Sequence, residues 1–127
     1  MTAKEFRIAL PNRPGELAKL TKMLSKKGVN ITTIAGLATG TTSTLAFLTE
    51  DESRAMSVLK EGKYKFKATP ILMVRMSDKP GALARVAKKL GNQKINIEGV
   101  YLVTRSKKMA QVALCVKDPT KAGAALR

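Results

Sequence analysis

Two stretches of this sequence have residue types and spacing suited to chemistry: NRPGELAKL at residues 12–20 and DKPGALARV at residues 78–86. A strand that passes through Asn/Asp-x-Pro-Gly into a helix leaves the first N–H groups of that helix without internal partners. The positive end of the helix then favours an anion, by about 0.3 to 1 kcal/mol when exposed and up to about 2 kcal/mol when partly buried. Gly15 and Gly81 remove the side chain that would block close approach, and Pro14 and Pro80 fix the entry of the chain without losing a needed donor. Asn12 offers both a donor and an acceptor, whereas Asp78 only accepts and can hold an ammonium group. Such a loop suits a small zwitterion, with carboxylate on the amides, amino group on a side-chain oxygen and the remainder against apolar surface. A free amino acid fits. The plainer alternative is that Pro-Gly only starts the helix and that Asn12 or Asp78 only caps it.

Other chemistry is thinly represented. Histidine is absent and Cys115 is the single cysteine, so an internal disulfide and a cysteine-based zinc site are both excluded. Cys115 lies among Val112, Leu114 and Val116 of an alternating run and reads as a packed side chain. Glu16, Glu98 and Asp78 stand as isolated carboxylates with no spaced partner for acid–base work. No enzyme, cofactor or metal is expected.

The formal charge of +15 points towards polyanions, and residues 70–127 hold 12 cations against only Asp78, Glu98 and Asp118. Seventeen of the 24 cations are scattered lysines, the usual pattern of a solvated surface. A basic RNA-binding sheet is the competing reading. It is weakened by the aromatics, because Phe6, Phe47, Phe66, Tyr64 and Tyr101 are dispersed and lack the consensus of base-stacking sheets. Phe6 and Phe47 are expected in the core, and Tyr101 is the one candidate for stacking. The N-terminal stretch lacks a signal-peptide pattern and no segment approaches about 20 apolar residues, so a soluble, cytoplasmic protein without membrane contact is expected.

The elements that must position the two loops come in matching sets. A shift of 66 places aligns residues 12–34 with 78–100 without a gap, with eight of 23 positions identical, which reads as a tandem duplication. Before each loop, Phe6, Ile8 and Leu10, or Leu72, Val74 and Met76, alternate as one face of a strand. After it, Leu17, Leu20 and Leu24, or Leu83, Val86 and Leu90, follow the i, i+3, i+7 spacing of an amphipathic helix. Gly28 stops the first helix; Lys94 stands at the corresponding place, so the second helix is expected to stop through Gly91-Asn92. VNITTIAGLAT and INIEGVYLVT read as second strands, TSTLAFLTE and MAQVALCVK as third strands, with turns at Gly40 and near Ser106. A helix follows in each copy, the latter opened by Asp118-Pro119, and a fourth strand near YKFKAT completes only the first. The boundaries are thus 1–69 and 70–127, the second copy being truncated before a fourth strand of its own. Ala46, Leu48, Ile71, Met73, Ala113 and Cys115 make the reverse sheet face apolar, which predicts a sheet packed against the partner repeat or another chain.

NRPGELAKLTKMLSKKGVNI and DKPGALARVAKKLGNQKINI resemble the first strand-to-helix junction of ACT domains, the small regulatory modules of amino acid metabolism. The resemblance extends over nearly the whole chain, twice, and is closest to tandem-ACT proteins without a catalytic domain. It implies two ferredoxin-like (βαββαβ) α+β repeats with antiparallel sheets, no catalysis, and a small amino acid bound where paired ACT domains meet. It further implies a homo-oligomer such as a dimer, and a separate biosynthetic enzyme as a partner. By position, the ligand-binding residues it implies are Asn12, Pro14, Gly15, Glu16, Leu17, Asn30 and Ile31 in the first copy. In the second they are Asp78, Pro80, Gly81, Ala82, Leu83, Asn96 and Ile97.

Overall fold

The computed structural model describes residues 2–127. In chain order the elements are β1 (Thr2–Pro11), α1 (Glu16–Lys26), β2 (Ile31–Thr39), β3 (Thr42–Thr49), α2 (Glu52–Glu61), β4 (Phe66–Ser77), α3 (Ala82–Asn92), β5 (Gly99–Ser106), β6 (Met109–Cys115) and α4 (Pro119–Ala125). They form two compact units, an N-terminal one of Lys4–Thr69 and a C-terminal one of Pro70–Arg127 with the start of β1. None of these helices is long and apolar enough to cross a membrane.

In the N-terminal unit the strand order is β2-β3-β1-β4. The alternation of β1 does what its period requires: Phe6, Ile8 and Leu10 face Phe47, Leu45 and Ser43 of antiparallel β3. This face packs against Leu20 and Leu24 of α1 and Ala55, Val58 and Leu59 of α2. Phe6 and Phe47 stack at 5.4 Å, which places both rings in the core, and Phe66 packs on the same cluster. Burying each large side chain contributes about 1.5 to 3 kcal/mol. Asp51 caps α2 by accepting from the Arg54 N–H at 3.1 Å.

The C-terminal unit has the order β4-β6-β5, with Leu72, Val74 and Met76 opposite Leu114, Val112 and Ala110. Its core is smaller: Leu90 of α3, Val112, Leu114 and Val116, and Ala122 of α4. Asp118 caps α4 through the Lys121 N–H at 3.0 Å. Thr2 and Ala3 at the start of β1 also belong to this unit.

Two expectations need correction. β4 is one uninterrupted strand of 12 residues with Pro70 inside it, where the sequence suggested two. The second long helix ends at Asn92, but Gly91-Asn92 does not supply the stop: Lys94 takes the left-handed conformation, φ 59°, that Gly28 takes at φ 72°. In both helices the closing pattern is the same, Val29 to Leu24 and Ile95 to Leu90, each 2.9 Å from N–H to carbonyl. On the reverse sheet face Ala46, Leu48, Ile71, Ala113 and Cys115 are buried and Met73 is half-buried. Glu5 lies fully buried as well, its carboxylate 2.8 Å from Arg7 Nε, the pairing that a buried charge requires.

Candidate functional site

Each junction is a short turn that swings the chain from an apolar strand into an amphipathic helix. Gly15 and Gly81 occupy the N-cap positions with the same backbone, φ 88° and ψ −12°, a left-handed state that a side chain would strain. No side chain caps either helix. Glu16 and Ala82 N–H reach back to Arg13 and Lys79 carbonyls at 3.5 and 3.2 Å, and Lys19 and Arg85 make the first regular turns. The N–H groups between them, at Leu17 and Ala18 and at Leu83 and Ala84, have no backbone acceptor among the described residues, as the helix start dictates. Asn12 and Asp78 therefore do not act as caps.

What they do instead differs. Asn12 donates through Nδ2 to the Gly40 carbonyl at 2.9 Å, and its N–H goes to the Thr41 carbonyl, tying the first loop to the β2–β3 turn. Arg13 Nε lies 2.6 Å from Glu16 Oε2, so a carboxylate of the chain already stands in the first turn of α1. At the second junction the Asp78 N–H goes to the Lys108 carbonyl at 2.8 Å, and Asp78 Oδ2 accepts from Nε and Nη2 of Arg105, each at 2.7 Å. The first turn of α3 has no acidic residue, and Ala82 there is buried.

Beside the second junction opens a cleft of about 340 Å³ between the start of α3 and strands β5 and β6. Met76, Leu83, Val100, Leu102 and Val112 make most of its wall; Ser77, Asp78 and Lys79 form its polar end, and Tyr101 also lines it. Leu83, Val100 and Leu102 are about half exposed, as the rim of an open apolar site must be. A bulge between Leu102 and Thr104 bends β5 along the cleft. Pro80 and Gly81 shape the turn above it.

The structure does not bring the remaining predicted residues to the loops. Asn30 and Ile31 stand at the start of β2, opposite Thr49, whereas Asn12 meets the other end of that strand. Asn96 and Ile97 likewise precede β5, which first pairs at Gly99 with Cys115. An 11-residue helix separates each pair from its Pro-Gly turn by about 16 Å. Leu17, half exposed, belongs with Ile34 and Leu37 to the exposed apolar side chains of the N-terminal unit. Arg105, Val100 and Leu102 went unnoticed in the sequence, although alternating apolar residues on an edge strand could have flagged the last two.

Tyr64 is a separate anomaly near the first junction. Its hydroxyl is buried without a hydrogen-bond partner, and burial, then the Glu16 carboxylate, push its phenol above the ordinary 10.0. Among the described residues no group of His, Cys, Asp or Glu is placed to hold a metal ion.

Antiparallel strands carrying helices on one face, with a Pro-Gly turn into the leading helix of each unit, define an α+β fold of the ferredoxin-like, ACT type. Solved structures share it. A protein from Bacteroides thetaiotaomicron is 25% identical, with a TM-score of 0.88 over 99% of this chain and 87% of that one. The ligand-free regulatory subunit of aspartate kinase from Thermus thermophilus is 22% identical, with a TM-score of 0.69 over 99% and 88%. The corresponding subunit from Thermus flavus is 20% identical, with a TM-score of 0.72 over 99% and 88%. No protein-family model and no curated protein matches the sequence.

Proposed function

We propose that this chain is a non-catalytic regulatory protein of two ACT repeats, 1–69 and 70–127, that binds a small amino acid at a Pro-Gly junction. The ligand carboxylate lies on the free amides at the helix start, its amino group on the polar side chain that opens the turn, and its side chain in apolar surroundings. The observation that carries this reading is a helix start capped by a left-handed glycine with no side chain over its amides, beside an apolar cleft. The fold shared with aspartate kinase regulatory subunits supports it. Regulation follows if the ligand binds one arrangement of paired ACT modules, in a homodimer or on a cytoplasmic biosynthetic enzyme, more tightly than another. Affinity alone switches nothing.

Calorimetry and thermal shift of the full chain against each common amino acid at millimolar concentration test the reading. At least one amino acid should release heat and raise the transition temperature, as preferential binding to the native state requires. Silence across the whole panel overturns it. The RNA-binding alternative gains nothing from Phe6 and Phe47, which are fully buried.

A further inference from the structure

From the contrast between the two junctions we infer that only the second is a ligand site, and that it selects an amino acid with an uncharged, mainly apolar side chain. This rests on the amino-acid-binding reading above and narrows it to one place and one chemical class.

The cleft supplies the first argument. Its volume of about 340 Å³ is at the small end for ligand sites, and five of its wall residues, Met76, Leu83, Val100, Leu102 and Val112, carry no polar side-chain group able to pair a buried charge. A ligand side chain bearing a charge would give up its hydration there without replacement, whereas an aliphatic or aromatic one would bury apolar surface.

Charge arrangement supplies the second. Arg105 contacts Asp78 through both Nε and Nη2, and both reach the same oxygen, Oδ2. Oδ1 keeps its acceptor capacity, with no partner among the described residues. Arg105 thereby fixes the carboxylate in place while leaving one oxygen for an ammonium group at the polar end of the cleft. Lys79 lines the same end, and Arg85 comes within 3.3 Å of where a Gly81 Cβ would stand, so the ligand carboxylate meets positive potential.

The first junction keeps counterparts of the cations, Arg13 and Lys19, and of two wall residues, Leu17 and Ile34, but differs in three respects. Glu16 sets a carboxylate in the first turn of α1 and would repel a second one. The amide of Asn12 is already used on Gly40 and carries no charge to attract an ammonium group. Position 36, which aligns with Leu102, is Gly36, so the wall that Leu102 builds has no counterpart.

The test is calorimetry of the full-length protein with leucine, methionine and phenylalanine against aspartate, glutamate, lysine and arginine. The expected result is one ligand per chain, with the apolar group binding at least about tenfold tighter than the charged group. Asp78→Asn should weaken binding by about tenfold or more, since a hydrogen bond to a charged group is lost. Leu102→Asp, on a half-exposed edge position, should abolish it with an unchanged circular dichroism spectrum. Glu16→Gln should leave affinity and stoichiometry as they are. Two ligands per chain, preference for a charged amino acid, or an Asp78→Asn protein with full affinity would overturn this inference and leave the amino-acid-binding reading standing. Absence of binding by every amino acid would overturn both.

Discussion

The two Pro-Gly junctions have the same backbone and opposite surroundings. Around α1 the turn is closed by its own chain: Asn12 is tied to Gly40, Arg13 to Glu16, and Glu16 already answers the positive end of the helix. Around α3 the turn is likewise tied to the following hairpin, through Arg105 and Lys108, but its helix start carries no carboxylate and faces a cleft. The cores beneath them differ in the same sense. The N-terminal one has four aromatic rings, Phe6, Phe47, Tyr64 and Phe66, while the C-terminal one has none among the described residues and is built on Leu90, Val112, Leu114, Val116 and Ala122. Similar local sequence therefore serves two ends. One unit spends its junction on cohesion; the other keeps it accessible, as sites that bind are often drawn from the less stable part of a structure.

The largest effect expected from this contrast is in the cores. Leu24→Ala and Leu90→Ala remove fully buried leucines at matching helix positions, and each should cost about 2 to 5 kcal/mol. Hydrogen exchange should separate them. Amides of α1 should stay protected longer than those of α3 in the unaltered protein, and Leu90→Ala should open the C-terminal unit while α1 keeps its protection. Equal protection of α1 and α3 would break the comparison.

A smaller effect belongs to Tyr64, which sharpens the picture of the closed junction. Its buried hydroxyl has no partner, so Tyr64→Phe should stabilise the protein by about 1 to 2 kcal/mol in thermal denaturation. The pH dependence has a definite sign. Because the folded phenol titrates above 10.0, the unfolded chain loses its proton first as pH rises. The contribution of Tyr64 is therefore complete below pH 10 and is lost above it, as the pH approaches the folded value. Tyr64→Phe should flatten this alkaline decline, and Glu16→Gln should reduce it less, since burial is the larger cause and Glu16 the second.

Much of this arrangement was legible in the sequence, and the gaps have physical causes. Alternation in Phe6, Ile8 and Leu10 and the helical spacing of Leu20 and Leu24 report burial directly, since each period belongs to one element. The same spacing includes Leu17 and Leu83, which are about half exposed at the first turn of each helix. Asp78 and Arg105 are 27 residues apart, and their pairing depends on where a hairpin turns back, which no local pattern encodes. Asn30 and Asn96 were placed at the site through likeness of motif alone. The path of the chain sends them to the opposite end of the helix. Lys63, Lys94, Lys107 and Lys108 all adopt positive φ, a conformation for which lysine gives no signal.

That last group yields the smallest and most direct comparison of the two units. Gly28 and Lys94 close α1 and α3 with the same backbone hydrogen bonds; the ends differ in the cost of a Cβ in the left-handed region and in the bond that Arg54 Nη1 donates to the Lys27 carbonyl at 3.1 Å. Lys94→Gly should relieve that cost and raise stability by about 0.5 to 1 kcal/mol, less the entropy that glycine adds to the unfolded chain. Gly28→Lys should lower stability by a similar amount; its Cβ would meet only Arg54 Nη1, at 3.5 Å, an ordinary contact with a flexible side chain. Paired denaturant titrations with unchanged slopes would measure both. If Lys94→Gly gave no gain while Gly28→Lys gave a loss, the lysine at α3 would be held by interactions that the glycine at α1 lacks.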